Sequence, residues 1–315
     1  MSAARPEAAR VCDDQAPART DSAALRELSP ASGCGLLTPE RRMRASRRQG
    51  DRRGAAGIAP AEAEADLAAR LLGPFALQVR GVAVLDWPAS RAKSLLKYLL
   101  LHRERPTTRQ AVLETFWPEI EPEAARNNLH VAIHRLRRLL QGCGLGLDAV
   151  RCADGIVELK PGLSIWLDTE CFDAALDAAQ ALGPGAPQEA ALAAALALTR
   201  GELVATERGE AWLEPLRQRF NDRALLALRT LAESRFAARD EPACIEHAHR
   251  MLALDGCAEE AHRLLMRSYA RLAQPARVER QYRACVQALR GALGVAPHPQ
   301  TTALYRALFA QARGG

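Results

Sequence analysis

Between Arg126 and Arg138 the chain holds four arginines, two asparagines and two histidines, with no aspartate or glutamate among them. Wound as a helix at about 100° per residue, Asn127, His130, Val131, His134 and Arg138 point one way. Leu129, Ala132, Ile133, Leu136, Leu139 and Leu140 point the other, and Arg126, Arg135 and Arg137 fall on the flanks. Asparagine can pair bidentately with adenine, arginine with guanine, and valine can touch a thymine methyl. Arginines on the flanks suit phosphates, which supply affinity and register but carry no sequence information. A basic helix face is in most proteins merely solvated. The lack of interspersed acids favours the nucleic-acid reading here.

Other constellations lead to blander readings. His130 and His134 stand at i and i+4, a spacing that can chelate zinc, but no glutamate follows His130 and no third ligand is evident. Gly142-Cys-Gly-Leu-Gly146 lacks the lysine and hydroxyl of a phosphate loop and follows a helix, so it reads as a helix stop. His247 and His249 read as surface residues of a helix, with no nucleophile and base paired nearby. The eight cysteines form no C-x-x-C pair and read as small core residues. No catalytic residue, metal site or cofactor is expected, and an enzyme has no positive support.

The elements that must position the polar face follow from periodicity and turn residues. Phe75–Val79 and Val82–Leu85 read as short strands around Arg80-Gly81. Helices are expected over Arg91–His102 and Arg109–Phe116, the second capped by Thr107 or Thr108 and broken at Trp117-Pro118. The amphipathic third helix runs over Glu123–Gln141. Ala149–Cys152 and Ile156–Leu159 flank Asp154-Gly155, the signal of a tight hairpin. Three helices ending in a hairpin form a winged helix-turn-helix, with the third helix as the recognition element. The hairpin is the wing, where Arg151 either reaches a phosphate or is an ordinary surface residue.

From Leu167 onward the pattern is helical: about 168–182, 187–199, 211–239, 242–254, 258–273, 276–293 and 299–311. Shifting by 34 residues places Leu231 on Leu265, Cys244 on Val278 and Ala248 on Tyr282, the tetratricopeptide period. The fold class is therefore mainly α, in three parts: a basic, Ala- and Pro-rich tail expected to be disordered over 1–66, a winged helix over 67–166, and an all-α repeat domain over 167–315. Arg41, Arg42, Arg44, Arg47, Arg48, Arg52 and Arg53 make a basic cluster in the tail, which reads as a solvated segment or as a source of non-specific phosphate contacts. Residues 67–166 carry 14 Lys/Arg against 9 Asp/Glu, and residues 167–315 carry 18 against 18. A basic module beside a neutral one suits double-stranded DNA and a separate partner function. No apolar run approaches the ~20 residues of a membrane span. Met1 to Asp21 lacks the apolar core of a secretory signal, so a cytoplasmic protein without a membrane partner is expected.

Several short segments agree with one family. Leu72-Gly-Pro-Phe75, Trp87 to Leu96, Phe116-Trp-Pro-Glu119, Ala125-Arg-Asn-Asn-Leu129 and His134 to Leu139 resemble the winged helix of the antibiotic regulatory protein (SARP) family. Asp168 to Phe172, Arg200-Gly-Glu-Leu203, Glu259 to Arg263 and Leu293 to Pro297 resemble that family's bacterial transcriptional activator domain. The resemblance implies a sequence-specific transcription regulator, usually an activator, that binds direct repeats as a homodimer and contacts RNA polymerase. In related winged helices the loop before the recognition helix makes the polymerase contact. Here that loop contains Trp117, Glu119, Glu121 and Glu123; alternatively the tryptophan anchors the core and the acids are solvated. Ile156 and Val157 follow the wing glycine where the family commonly has an aromatic residue. A competing reading is a helical-repeat adaptor whose winged module binds protein.

Overall fold

A computed structural model describes residues 61–87, 90–205 and 210–314. The tail cluster Arg41 to Arg53 lies outside the described residues. Residues 62–64, read from the sequence as part of the tail, instead make one turn of 3-10 helix, and Leu67–Arg70, at the start of the expected winged helix, forms a strand, β1, that the sequence does not signal. Arg70 fastens that turn through two hydrogen bonds to Glu62, each 2.7 Å.

Strands β2 (Ala76–Val79) and β3 (Val82–Ala83) form the expected hairpin. Arg80 and Gly81 both take positive φ (49° and 78°), as a type I′ turn requires. β1 pairs antiparallel with β2, placing Leu67 opposite Val79 and Ala69 opposite Leu77. Between this sheet and its last strand lie α1 (Ser90–Leu101), β4 (Thr107–Thr108), α2 (Arg109–Phe116), α3 (Pro122–Gly142), β5 (Val150–Ala153) and β6 (Ile156–Leu159). β7, Ile165–Leu167, then returns parallel to β1 and completes the order β3-β2-β1-β7. A second sheet has the order β4-β6-β5.

The helices start and stop for local reasons. Thr108 Oγ1 accepts from the Ala111 amide at 3.1 Å and caps α2. Pro122 opens α3 in the first turn, where its missing N–H costs nothing. Leu95, Leu96, Leu99 and Leu100 of α1 and Leu129, Ile133, Leu136 and Leu140 of α3 are buried together in one core.

The chain continues through α4 (Asp168–Ala181), α5 (Ala186–Ala197), α6 (Glu214–Ala237), α7 (Glu241–Leu254), α8 (Glu259–Arg271), α9 (Pro275–Leu293) and α10 (Pro299–Gly314). The 34-residue shift carries the second half of α6 onto α8 and α7 onto α9. Leu231 and Leu265 are both buried, as are Cys244 and Val278, so the repeat aligns equivalent core positions. No helix among the described residues is long and apolar enough to cross a membrane.

One continuous hydrophobic core runs from Leu67 to Val278, joining the winged helix to the repeats. Asp168, at the start of α4, accepts the Leu71 amide at 2.8 Å and the Leu72 amide at 3.0 Å while almost wholly buried. Burial raises its carboxyl above the usual range, and these same amide bonds oppose that. Arg217 on α6 donates to the carbonyls of Leu203 and Val204 at 3.0 and 3.2 Å. Trp212 lies edge-on to Tyr98, with ring centroids 5.1 Å apart, and its indole N–H donates to Glu210. Glu210 in turn accepts from Ser94 of α1 at 2.9 Å.

Lys97 of α1 has no exposed surface, and its ammonium lies 5.4 Å from the Phe75 ring centroid. Burial, and after it Lys93, lowers the Lys97 pKa from 10.5 to about 7, while Glu210 pulls the other way.

Two outcomes follow from this junction. Asp168→Ala strips two buried amides of their acceptor and is expected to lower unfolding free energy by about 3 kcal/mol in urea titrations; a loss under about 1 kcal/mol would contradict the anchoring role. The folded state releases the Lys97 proton near pH 7, whereas the unfolded chain holds it up to its ordinary range. Stability is therefore expected to climb between pH 7 and 9, by at most about 1.4 kcal/mol per pH unit, and Lys97→Met should flatten the climb. An identical pH profile for wild type and variant would contradict this.

Candidate nucleic-acid interface

α3 is turned by its own leucines. Leu129, Leu136 and Leu140 have no exposed surface, and Ala125, Ala132 and Ile133 are buried beside them. The opposite side is open: Arg126, Asn127, His130, His134, Arg135 and Arg138 are exposed, and Val131 is 47% exposed although apolar. Asn128 is also exposed, beside Arg135 on the flank. The sequence reading left it out because at about 200° from Arg126 it sits near the edge of the leucine seam.

Arg126, Arg135 and Arg138 make no ion pair among the described residues. The arginines of the repeat domain behave differently. Arg219 and Arg223 pair with Asp173, Arg235 with Glu189, Arg271 with Glu241, and Arg229 with Glu233 and Glu260. Positive charge on the outward face of α3 is thus left without carboxylate partners among the described residues, while part of the positive charge on the repeats is met by neighbouring carboxylates.

Arg137 departs from the flanking phosphate role expected for it. It is half-buried, and its Nε donates to the Val150 carbonyl at 2.8 Å. That bond ties α3 to the first strand of the wing, so Arg137 serves first to position the two surfaces relative to each other. The wing is fixed at two further points. The Arg109 amide donates to the Gly155 carbonyl at 2.7 Å, and β4 pairs with β6, placing Thr107 opposite Val157 and Thr108 opposite Ile156. Asp154 and Gly155 take φ of 51° and 76°, the tight turn that the sequence signals, and both are exposed. Arg151 is exposed on β5 directly across from Glu158, and their charged groups approach to 3.8 Å. An exposed pair at that distance holds the arginine weakly.

Glu119 and Glu121 in the loop between α2 and α3 are exposed, as is Glu123 in the first turn of α3. Trp117 is only 8% exposed and packs against Phe116 with ring centroids 5.8 Å apart. The indole anchors the core, and the surface available to a partner at the entrance to α3 comes from the three glutamates and Ile120. The arrangement contains an exposed basic helix face, a basic wing strand beside it and an acidic loop at the helix entrance.

Comparison with known proteins agrees with this geometry. Residues 89–150 match the family described as "Transcriptional regulatory protein, C terminal", and residues 167–309 match the "Bacterial transcriptional activator domain". The transcriptional regulatory protein MoaR1 of Mycobacterium tuberculosis is 28% identical over 252 residues, spanning 76% of this chain and 78% of its own. The transcriptional regulatory protein EmbR of the same organism is 25% identical over 264 residues, spanning 81% of this chain and 66% of its own. A solved structure of EmbR in complex with a low-affinity phosphopeptide has the same fold, with a TM-score of 0.60 at 24% identity over 80% of this chain and 70% of that one. A winged helix whose third helix faces outward, a repeat domain packed directly behind it, and family matches in that order support membership of the antibiotic regulatory protein (SARP) family of transcriptional regulators.

Proposed function

We propose that the chain is a sequence-specific regulator of transcription that binds double-stranded DNA through α3 and acts as an activator. The observation that carries this reading is the α3 face itself: three exposed arginines without carboxylate partners among the described residues, beside an exposed asparagine and valine, on a helix whose leucine side packs into the core. α3 lies in the major groove. Asn127 and Arg138, at the centre of the outward face, read base edges, with Val131, His130 and His134 beside them. Arg126, Arg135 and Asn128 hold phosphates, and Arg151 carries that contact onto the wing. Glu119, Glu121 and Glu123 offer an acidic surface to RNA polymerase, and two copies bind direct repeats, as the family resemblance implies. The repeat domain serves oligomerisation, effector or polymerase contact. No enzymatic step is assigned to any residue.

Equilibrium binding on a duplex selected from random DNA tests the roles separately. Asn127→Ala and Arg138→Ala are each expected to weaken specific binding by ~1–3 kcal/mol and to relax the preference for one base pair. Wild-type affinity and wild-type base preference in both variants would reject the assignment. Arg135→Ala should weaken binding to all sequences alike and reduce the slope of log K against log salt by about 1. An unchanged slope would remove Arg135 from the phosphate contacts.

A further inference from the structure

A cavity of about 180 Å³ lies where the winged helix meets the repeats. Its wall draws on the connecting segments through Leu72 and Leu203, on α4 and α6 through Phe172, Phe220 and Asn221, and on α7 through Arg250. It exceeds the ~150 Å³ apolar cavity that suffices for benzene. The wall is mostly apolar, and Arg250 is the one charged side chain among the described lining residues. Arg250 donates to the Leu196 carbonyl through one Nη at a long 3.4 Å, which uses one of the five N–H donors of a guanidinium. Asn221 and Thr199 add hydrogen-bonding groups.

From this combination we infer that the cavity binds a small organic monoanion: a carboxylate of roughly the size of benzoate or hexanoate, its apolar body among the phenylalanines and leucines and its charge met by Arg250. A wall whose described residues hold one cation and no carboxylate selects an anion, and a cavity of this volume limits it to about ten heavy atoms.

The position gives such a ligand leverage. Leu72 and Leu203 are partners in an antiparallel β-bridge. Beside them the Arg200 amide donates to Leu72, the Val204 amide to Leu71 and the Gly73 amide to Glu202, at 2.9, 2.7 and 3.1 Å. Gly73 and Gly201 approach so closely that a Cβ on Gly201 would meet the Gly73 Cα at 3.4 Å. This backbone clamp joins the sheet of the winged helix to the repeats, and three of its residues, Leu72, Gly201 and Leu203, are cavity wall. An occupant that contacts both halves favours their joined arrangement and biases the orientation of α3 relative to the repeats. That regulatory consequence rests on the DNA-binding reading; the binding site itself does not.

The test is titration calorimetry on the full chain without DNA, using sodium benzoate and sodium hexanoate with benzyl alcohol and hexanol as uncharged counterparts. We expect saturable one-to-one binding of at least one carboxylate with Kd below about 5 mM, and binding of its alcohol at least about tenfold weaker. Arg250→Gln is expected to weaken the carboxylate at least about tenfold without changing the circular dichroism. No saturation by either carboxylate, equal affinity for acid and alcohol, or an unchanged affinity in folded Arg250→Gln would each overturn the proposal. Because DNA is absent, failure here leaves the DNA-binding reading standing, and failure of that reading leaves this result intact.

Discussion

The contact between the leucine rows of α1 and α3 governs what the rest of the molecule can present. Leu95, Leu96 and Leu100 on one helix and Leu129, Leu136 and Leu140 on the other are sealed from solvent. Burying such side chains is worth about 1.5–3 kcal/mol each, before the cost of ordering them. Rotating α3 about its axis would exchange these leucines for arginines in the core. The price of that exchange, burying unpaired guanidinium groups, is far larger than any gain in surface solvation. The outward direction of the basic face is thus a consequence of packing behind it.

Packing also explains why the two halves do not behave as beads on a linker. The core is continuous across the boundary between them. Polar groups complete the joint: the Asp168 carboxylate takes the amides of Leu71 and Leu72, and Arg217 takes the carbonyls of Leu203 and Val204. Each is a buried charge meeting backbone groups that would otherwise be unsatisfied, an arrangement that is costly to break from either side. Anything that acts on the repeats therefore has a short mechanical route to the winged helix. At the surface, several arginines of the repeats pair with nearby acids, whereas Arg126, Arg135 and Arg138 of α3 pair with none among the described residues.

Much of this was legible before any coordinates. The bounds of α2 and the direction of α3 followed from spacing, and Asp154-Gly155 marked its turn because only a few residues tolerate two successive positive φ angles. The 34-residue shift found true structural equivalents because a stacked repeat reuses the same core positions. β1 and β7 were not signalled by the sequence, β1 for a clear reason. Leu67-Ala-Ala-Arg70 favours a helix by composition and becomes a strand only because β2 and β7 stand on either side of it. For Trp117 the sequence leaves two roles open, and its burial against Phe116 favours the core anchor; Arg137 was legible as part of the site, but helix geometry alone does not reveal the Val150 carbonyl that it meets. Asn128 was the converse, an exposed residue that a helical wheel places near the boundary.

The most direct measurement is selection of duplexes from a fully random DNA pool by the purified full chain, followed by affinity for the enriched duplex across a range of salt. The account predicts convergence on a repeated short motif, with log K falling linearly and steeply as log salt rises, as expected when several arginines displace counterions from phosphates. A pool that stays random, or binding indifferent to salt, would contradict it.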